Sequence, residues 1–236
     1  MSLVVSTVKL HLNRRAATFT VPFSIAVLVA VISILVALVA WRSGSQPGSD
    51  EWVAGSRSNP SIVYALVGFL GYLGVSTVAR TFPLALTLGA TRRAFVAGTL
   101  IWNAITAAYI AGILSVLSSL EIATNHWFAG FYIFDIFVLG GGDTERLLII
   151  VFSGVFATLT IGGTFAAAWI RVGALGPQLI AGGTIAALAI IAIIFVPQTA
   201  AIAAALQLWW LGIVALALIV AAATGTWLLL RSATVR

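Results

Sequence analysis

The chain has 236 residues, of which 61% are hydrophobic and only 8% charged, with a formal net charge of +6 and a mean hydropathy of +1.15. A soluble domain carries roughly a quarter of its residues as charges, so this composition excludes a water-soluble globular protein and indicates an integral membrane protein. With no cysteine, disulfide frameworks, thiol nucleophiles and cysteine metal sites are excluded as well, and the basic residues, scattered singly or in pairs between apolar stretches, suit an anionic lipid surface better than nucleic acid.

At the N-terminus, Val5, Val8, Leu12, Ala16 and Phe19 fall within a narrow arc at 100° per residue, with Arg14 opposite and Lys9 and Arg15 flanking. This predicts an amphipathic helix within residues 1–19, lying in the cytoplasmic interface of the membrane, with Leu10 as an exception on its polar side. A merely basic tail held by the charge rule for loops is the alternative.

A membrane span takes about 20 mostly apolar residues. Six segments qualify, at 20–41, 61–78, 94–117, 147–170, 174–196 and 208–230, and each is free of charge. The expected fold class is therefore all-α: a six-span transmembrane domain over residues 20–236, behind the interfacial helix, with short re-entrant or interfacial helices on the outer side. The first segment exceeds the length of a signal-peptide core and no clean A-x-A site follows it, so it reads as a retained span.

Six crossings leave both termini on one side. Lys9, Arg14, Arg15, Arg80, Arg92, Arg93, Arg171, Arg231 and Arg236 fall on that side without an acid, whereas Arg42, Arg57 and Arg146 share the other with Asp50, Glu51, Glu121, Asp135, Asp143 and Glu145. Nine basic residues against three orient the chain with both termini in the cytoplasm.

Between the second and third spans, "FPLALTLGATRRAF" runs from Phe82 to Phe95. Pro83 near the start and Gly89 at the end of its apolar run predict a short separate helix with Thr81 as N-cap, and Thr91 is placed to cap the next helix. Arg92 and Arg93 then sit at a helix N-terminus, against the positive end of its dipole. Something must offset that placement, either lipid phosphates or the acidic surface of a partner protein.

Further along, "HWFAGFYIFDIFVL" is too short to cross and is interrupted by Asp135, which predicts an interfacial or re-entrant helix. It reads as an aromatic belt or as a lid over an exit path. "GGGDTER" supplies a turn, with Asp143 or Thr144 capping the fourth span. "VPQTAAIAAALQ" suggests a shallow re-entrant helix after Pro197, followed by Trp209 and Trp210 as interface anchors. Small residues recur at Ala104, Ala108 and Gly112 and at Gly154, Thr158 and Gly162, a spacing that permits close helix packing inside the protein or across a dimer seam. His11 and His126 stand apart from any set of carboxylates at ligand spacing, so both read as surface histidines and no metal site is expected.

"RTFPLALTLGATRRAFVAGT", residues 80–99, resembles the first cytoplasmic loop of the small permease subunits of bacterial ABC transporters of the ABC-2 export type. In that family a phenylalanine-proline stretch, a glycine and one or two arginines precede the third span. The resemblance implies that this loop couples to a separate ATP-binding subunit through Phe82, Pro83, Leu86, Gly89, Thr91, Arg92 and Arg93, with a second contact on the interfacial helix and its Lys9, Arg14 and Arg15. It also implies a second permease subunit, in a homodimer or heterodimer, and a place in the bacterial cell membrane. The chain contains no G-x-x-x-x-G-K-[ST] loop, so ATP and Mg would be bound by the partner and this chain would hold no cofactor.

The function expected is a permease subunit that exports a hydrophobic or amphipathic compound, without catalytic, cofactor or metal residues of its own. An ion-coupled secondary transporter is the second reading, disfavoured because the spans lack the titratable groups that proton relays need. An intramembrane enzyme is disfavoured because no span holds His, Asp or Glu. A non-transporting immunity or sensor protein that binds a membrane-active compound remains open.

Overall fold

A computed structural model describes residues 2–127, 130–198 and 208–233. The elements in chain order are α1 (Leu3–Leu12), a π-helical segment Ala16–Thr20 that runs into α2 (Val21–Arg42), α3 (Asp50–Arg57), α4 (Ser61–Thr87), α5 (Arg92–Ala123), α6 (Thr144–Val172), α7 (Leu175–Phe195) and α8 (Leu208–Leu230). No strand occurs among the described residues. Among the described residues, six helical stretches are long and apolar enough to cross a membrane, which makes this a polytopic all-helical membrane protein. Helices are the natural solution, because backbone polar groups in a hydrocarbon environment must be satisfied within the segment itself.

Local chemistry sets the helix ends. After α4, the Gly89 amide donates to Leu86 at 3.0 Å and the Ala90 amide to Ala85 at 2.9 Å. This double closure needs a left-handed residue between them, and Gly89 supplies it at φ +82°. Thr91 caps α5 by accepting from the Ala94 amide at 3.2 Å. Asp143, of the two candidates, caps α6, accepting from the amides of Glu145 and Arg146 at 3.0 and 3.1 Å.

The chain forms two compact units. The first comprises residues 1–11, 71–101 and 157–236. Its core joins Val78, Phe82 and Ala85 of α4, Phe95 of α5, Ala166 and Ala167 of α6, and Leu230 and Ala233 at the end of the chain. Within it α4 and α6 touch backbone to backbone. A Cβ on Gly74 would lie 2.5 Å from the Leu159 carbonyl, and one on Gly162 would lie 2.8 Å from that of Gly71. The second unit comprises residues 12–70 and 102–156. There the Tyr109 hydroxyl donates to the Phe19 carbonyl at 3.0 Å and the two rings meet edge to face. Ile133, Phe134, Ile136 and Leu139 are buried in the same unit.

Three expectations change. The interfacial helix stops at Leu12, so Ala16 and Phe19 belong to the entry into α2. The two fully buried residues of α1 are polar, Thr7 and His11, whereas Val5 is exposed. Leu10, the exception in the apolar pattern, packs against the core. No separate helix begins at Pro83, because α4 continues through it to Thr87. A mid-helix proline forfeits a hydrogen bond, but Phe82 and Ala85, buried on either side, hold the helix in place, and spanning helices tolerate proline where neighbouring groups compensate.

The third change concerns the aromatic segment. The described part of 124–143 is irregular apart from a single 3-10 turn at Phe137–Leu139; Phe128 and Ala129 lie outside the described residues. Asn125, His126 and Trp127 all adopt positive φ, from 54° to 61°, a run incompatible with a right-handed helix. A short helix forms instead at α3, between α2 and α4, where the Ser49 hydroxyl accepts from the Trp52 amide at 3.3 Å. Of the small-residue stripes, Gly162 packs inside the first unit as expected, whereas a Cβ on Gly112 would meet no atom within 4 Å. The expected re-entrant helix after Pro197 falls on 199–207, outside the described residues; a 3-10 turn at Val196–Gln198 precedes it. Trp209 and Trp210 stack on one another at 4.5 Å at the start of α8.

Candidate functional site

The connection between α4 and α5 consists of Leu88, Gly89, Ala90 and Thr91, closed by the glycine motif on one side and the threonine cap on the other. The two arginines that follow it have different environments. Arg92 is half-buried and turns its guanidinium onto the end of α8. Nη1 donates to the carbonyls of Leu230 and Arg231 at 3.0 and 2.5 Å, and Nη2 to that of Ala233 at 2.8 Å. Carbonyls at a helix C-terminus have no partners within the helix and carry the negative end of its dipole. A planar guanidinium with several fixed donors fits such a cluster. For Arg92, the offset required at the start of α5 is thus supplied inside the chain.

Arg93 is exposed, with its guanidinium 5.6 Å from the centre of the Trp227 ring on α8. Its charge is directed outward from the same surface.

Of the other residues assigned to this loop by resemblance, Phe82 is 0% exposed and meets Phe95 edge to face at 5.2 Å. It is a core residue and presents nothing to a partner. Pro83 and Leu86 are half-buried, Leu86 against the same core, while Gly89 and Thr91 are exposed. Leu84, in the last turn of α4, and Leu88 of the connection are exposed as well, the latter 68% accessible. Both were absent from the sequence assignment. Their four-residue spacing on one helix face was the signal available.

His11 is the second residue that the sequence misplaced. It is 1% exposed, with Nε2 3.0 Å from the Thr99 hydroxyl of α5 and Nδ1 3.5 Å from the Thr81 hydroxyl of α4. Phe95 meets its ring edge-on at 5.6 Å. Thr81 is therefore no helix cap; its hydroxyl donates back to the Thr77 carbonyl within α4. Alongside, a Cβ on Gly98 would lie 2.7 Å from that of Thr7, so α1 lies directly on α5. Lys9 and Arg15 are exposed, whereas Arg14 is half-buried.

In the second unit the ionisable residues of the aromatic segment form a network. Arg57 Nη2 donates to both carboxylate oxygens of Asp135 at 3.2 and 3.3 Å, and its guanidinium lies over Tyr132 and Phe137. Glu121, fully buried at the end of α5, accepts from the amides of Ile133 and Phe134 at 2.8 and 2.7 Å. His126 stacks on Tyr132 and brings Nδ1 to 3.7 Å from Glu121 and 4.0 Å from Asp135. His126 is therefore no isolated surface histidine. Both carboxylates are committed, one to backbone amides and one to Arg57, and their role is to fold this segment. Among the described residues no group of three or more such side chains is arranged to hold a metal ion.

No protein-family model, curated protein or solved structure matches the chain.

Proposed function

We propose that the chain is the membrane-spanning subunit of an ATP-driven exporter of the ABC-2 type, moving a hydrophobic or amphipathic compound across the bacterial cell membrane while a separate subunit hydrolyses ATP. The observation that carries this reading is the build of the α4–α5 connection. It is a short turn closed at both ends and braced by Arg92 against the end of α8, with Leu84, Leu88 and Arg93 facing outward. A turn fixed in this way transmits a push to the helices on either side, because packed elements move as units. The resemblance over residues 80–99 and the absence of a phosphate-binding loop from the sequence supply the rest.

The docking surface on this reading is Leu84, Leu88, Gly89 and Arg93, with Phe82 and Arg92 as its internal supports. A second permease subunit completes the transporter. Helix α7, whose only buried residue is Gly176 at its start, offers apolar surface for it.

A photo-crosslinking residue at Leu88, with a second variant carrying it at Ile149 on the exposed face of α6, tests the reading in growing cells. The expected result is an adduct at position 88 with a polypeptide containing a G-x-x-x-x-G-K-[ST] loop, and only lipid adducts at 149. Lipid adducts alone at both positions would overturn it. Charge reversal is informative at Arg93 and not at Arg92, since the latter would also lose its bonds to the α8 carbonyls.

A further inference from the structure

The second unit contains a cavity of about 750 Å³ between the end of α2, the loop that follows, and α3. That size lies within the range of roughly 300–1,000 Å³ typical of small-molecule sites. Its lining divides by chemistry: Val36, Ala40, Trp52 and Phe131 are apolar or aromatic, whereas Gln46 and Glu51 are polar. Trp52, 6% exposed, meets Phe131 edge to face at 5.4 Å, which fixes the aromatic pair. The indole nitrogen of Trp52 has no acceptor among the described residues.

Charge decides what such a cavity can hold. Around it Arg57 is paired with Asp135 and Arg146 with Asp143, at 3.2 and 2.9 Å, while Arg42, at the end of α2, is exposed and is not part of the lining. Glu51 lines the cavity and has no ion-pair partner among the described residues. A cavity whose one charged lining residue is a carboxylate, beside the rings of an indole and a phenylalanine, attracts positive charge by Coulomb interaction and through the aromatic faces. An anionic compound meets the opposite potential, and a neutral one gains only the apolar contacts.

We infer that this cavity is a binding site for an organic cation with an apolar body, its charge set against Glu51 and its body against Trp52 and Phe131. A free amphiphilic cation and the ammonium headgroup of a lipid share this chemistry. The site belongs to the chain itself and stands independently of any ATPase at the α4–α5 connection.

Calorimetric titration of the detergent-solubilised full chain, with protein-free micelles subtracted, tests it using tetraphenylphosphonium, neutral triphenylphosphine oxide and anionic tetraphenylborate. The cation should bind about tenfold more tightly than the neutral probe, a difference of about 1.4 kcal/mol, and the anion should not bind. Glu51→Gln should bring cation and neutral probe to within about twofold of each other, a residual preference of about 0.4 kcal/mol that the aromatic rings alone can supply. Asp50→Asn, which removes the adjacent first-turn acid outside the lining, should leave the preference intact and controls for helix α3. Repeating the titration in nanodiscs of phosphatidylglycerol, with and without phosphatidylethanolamine, separates the two sources: competition by the amino lipid assigns the site to a headgroup, and its absence to a free compound. Equal affinity for cation and neutral probe in the unsubstituted chain, or a preference unchanged by Glu51→Gln, would overturn the inference.

Discussion

Arg92 reaches carbonyls 138 to 141 residues away in sequence, and that contact explains the arginine pair better than any local feature. The sequence made clear that a cation at a helix N-terminus needs an offset, since the dipole rule is local. It could not identify the offset, because the end of α8 carries no residue pattern that marks its carbonyls as a receptor. His11 was unreadable for a similar reason: Thr81 and Thr99 are ordinary residues of apolar helices until α1 is laid across them. Arg92→Ala should destabilise the protein by about 1–3 kcal/mol, the usual value of hydrogen bonds from a charged donor, while Arg93→Ala should change stability by less than about 0.5 kcal/mol. Thermal unfolding in detergent separates the two. Equal effects would contradict the assignment of the clamp to Arg92 alone.

Among the elements, the spans were legible, as were the helix ends at Gly89, Thr91 and Asp143, whereas the course of the longer connections was not. Hydropathy marks a membrane helix because the solvent itself selects for it, and the sixth span, 208–230, has the same limits as α8. The second and third spans ran past their expected ends, to Thr87 and Ala123, because the helix rule scores apolarity whereas actual helices continue through polar turns until a cap stops them. The aromatic segment was misread because its fate rests on tertiary bonds: the Glu121 carboxylate takes the amides of Ile133 and Phe134 that a helix would have used internally. The crossing of α4 and α6 was half legible, with Gly162 visible in a small-residue stripe and Gly74 outside one. Gly74→Ala would press a methyl group to 2.5 Å from a backbone carbonyl and should cost about 1–3 kcal/mol by forcing the helices apart. Gly112→Ala, with open space around it, should be neutral or slightly stabilising through helix propensity. Paired melting curves of the two variants check this, and a neutral Gly74→Ala would contradict the close contact.

For the molecule as a whole, the sequence supports a six-span membrane protein on composition alone, and the helices agree. The proposed sidedness rests on charge counting: nine basic residues expected on one side against three on the other. The transport reading depends on that sidedness, since an ATP-driven partner can grip the α4–α5 connection only from the compartment that holds ATP. Because the chain has no cysteine, a single Leu88→Cys substitution gives an unambiguous reporter at a position 68% exposed. Labelling that thiol with a membrane-impermeant maleimide, in intact cells and in inverted membrane vesicles, is the most direct measurement. The proposed orientation predicts modification in inverted vesicles and none in intact cells; modification in intact cells would place the connection outside and contradict the exporter reading.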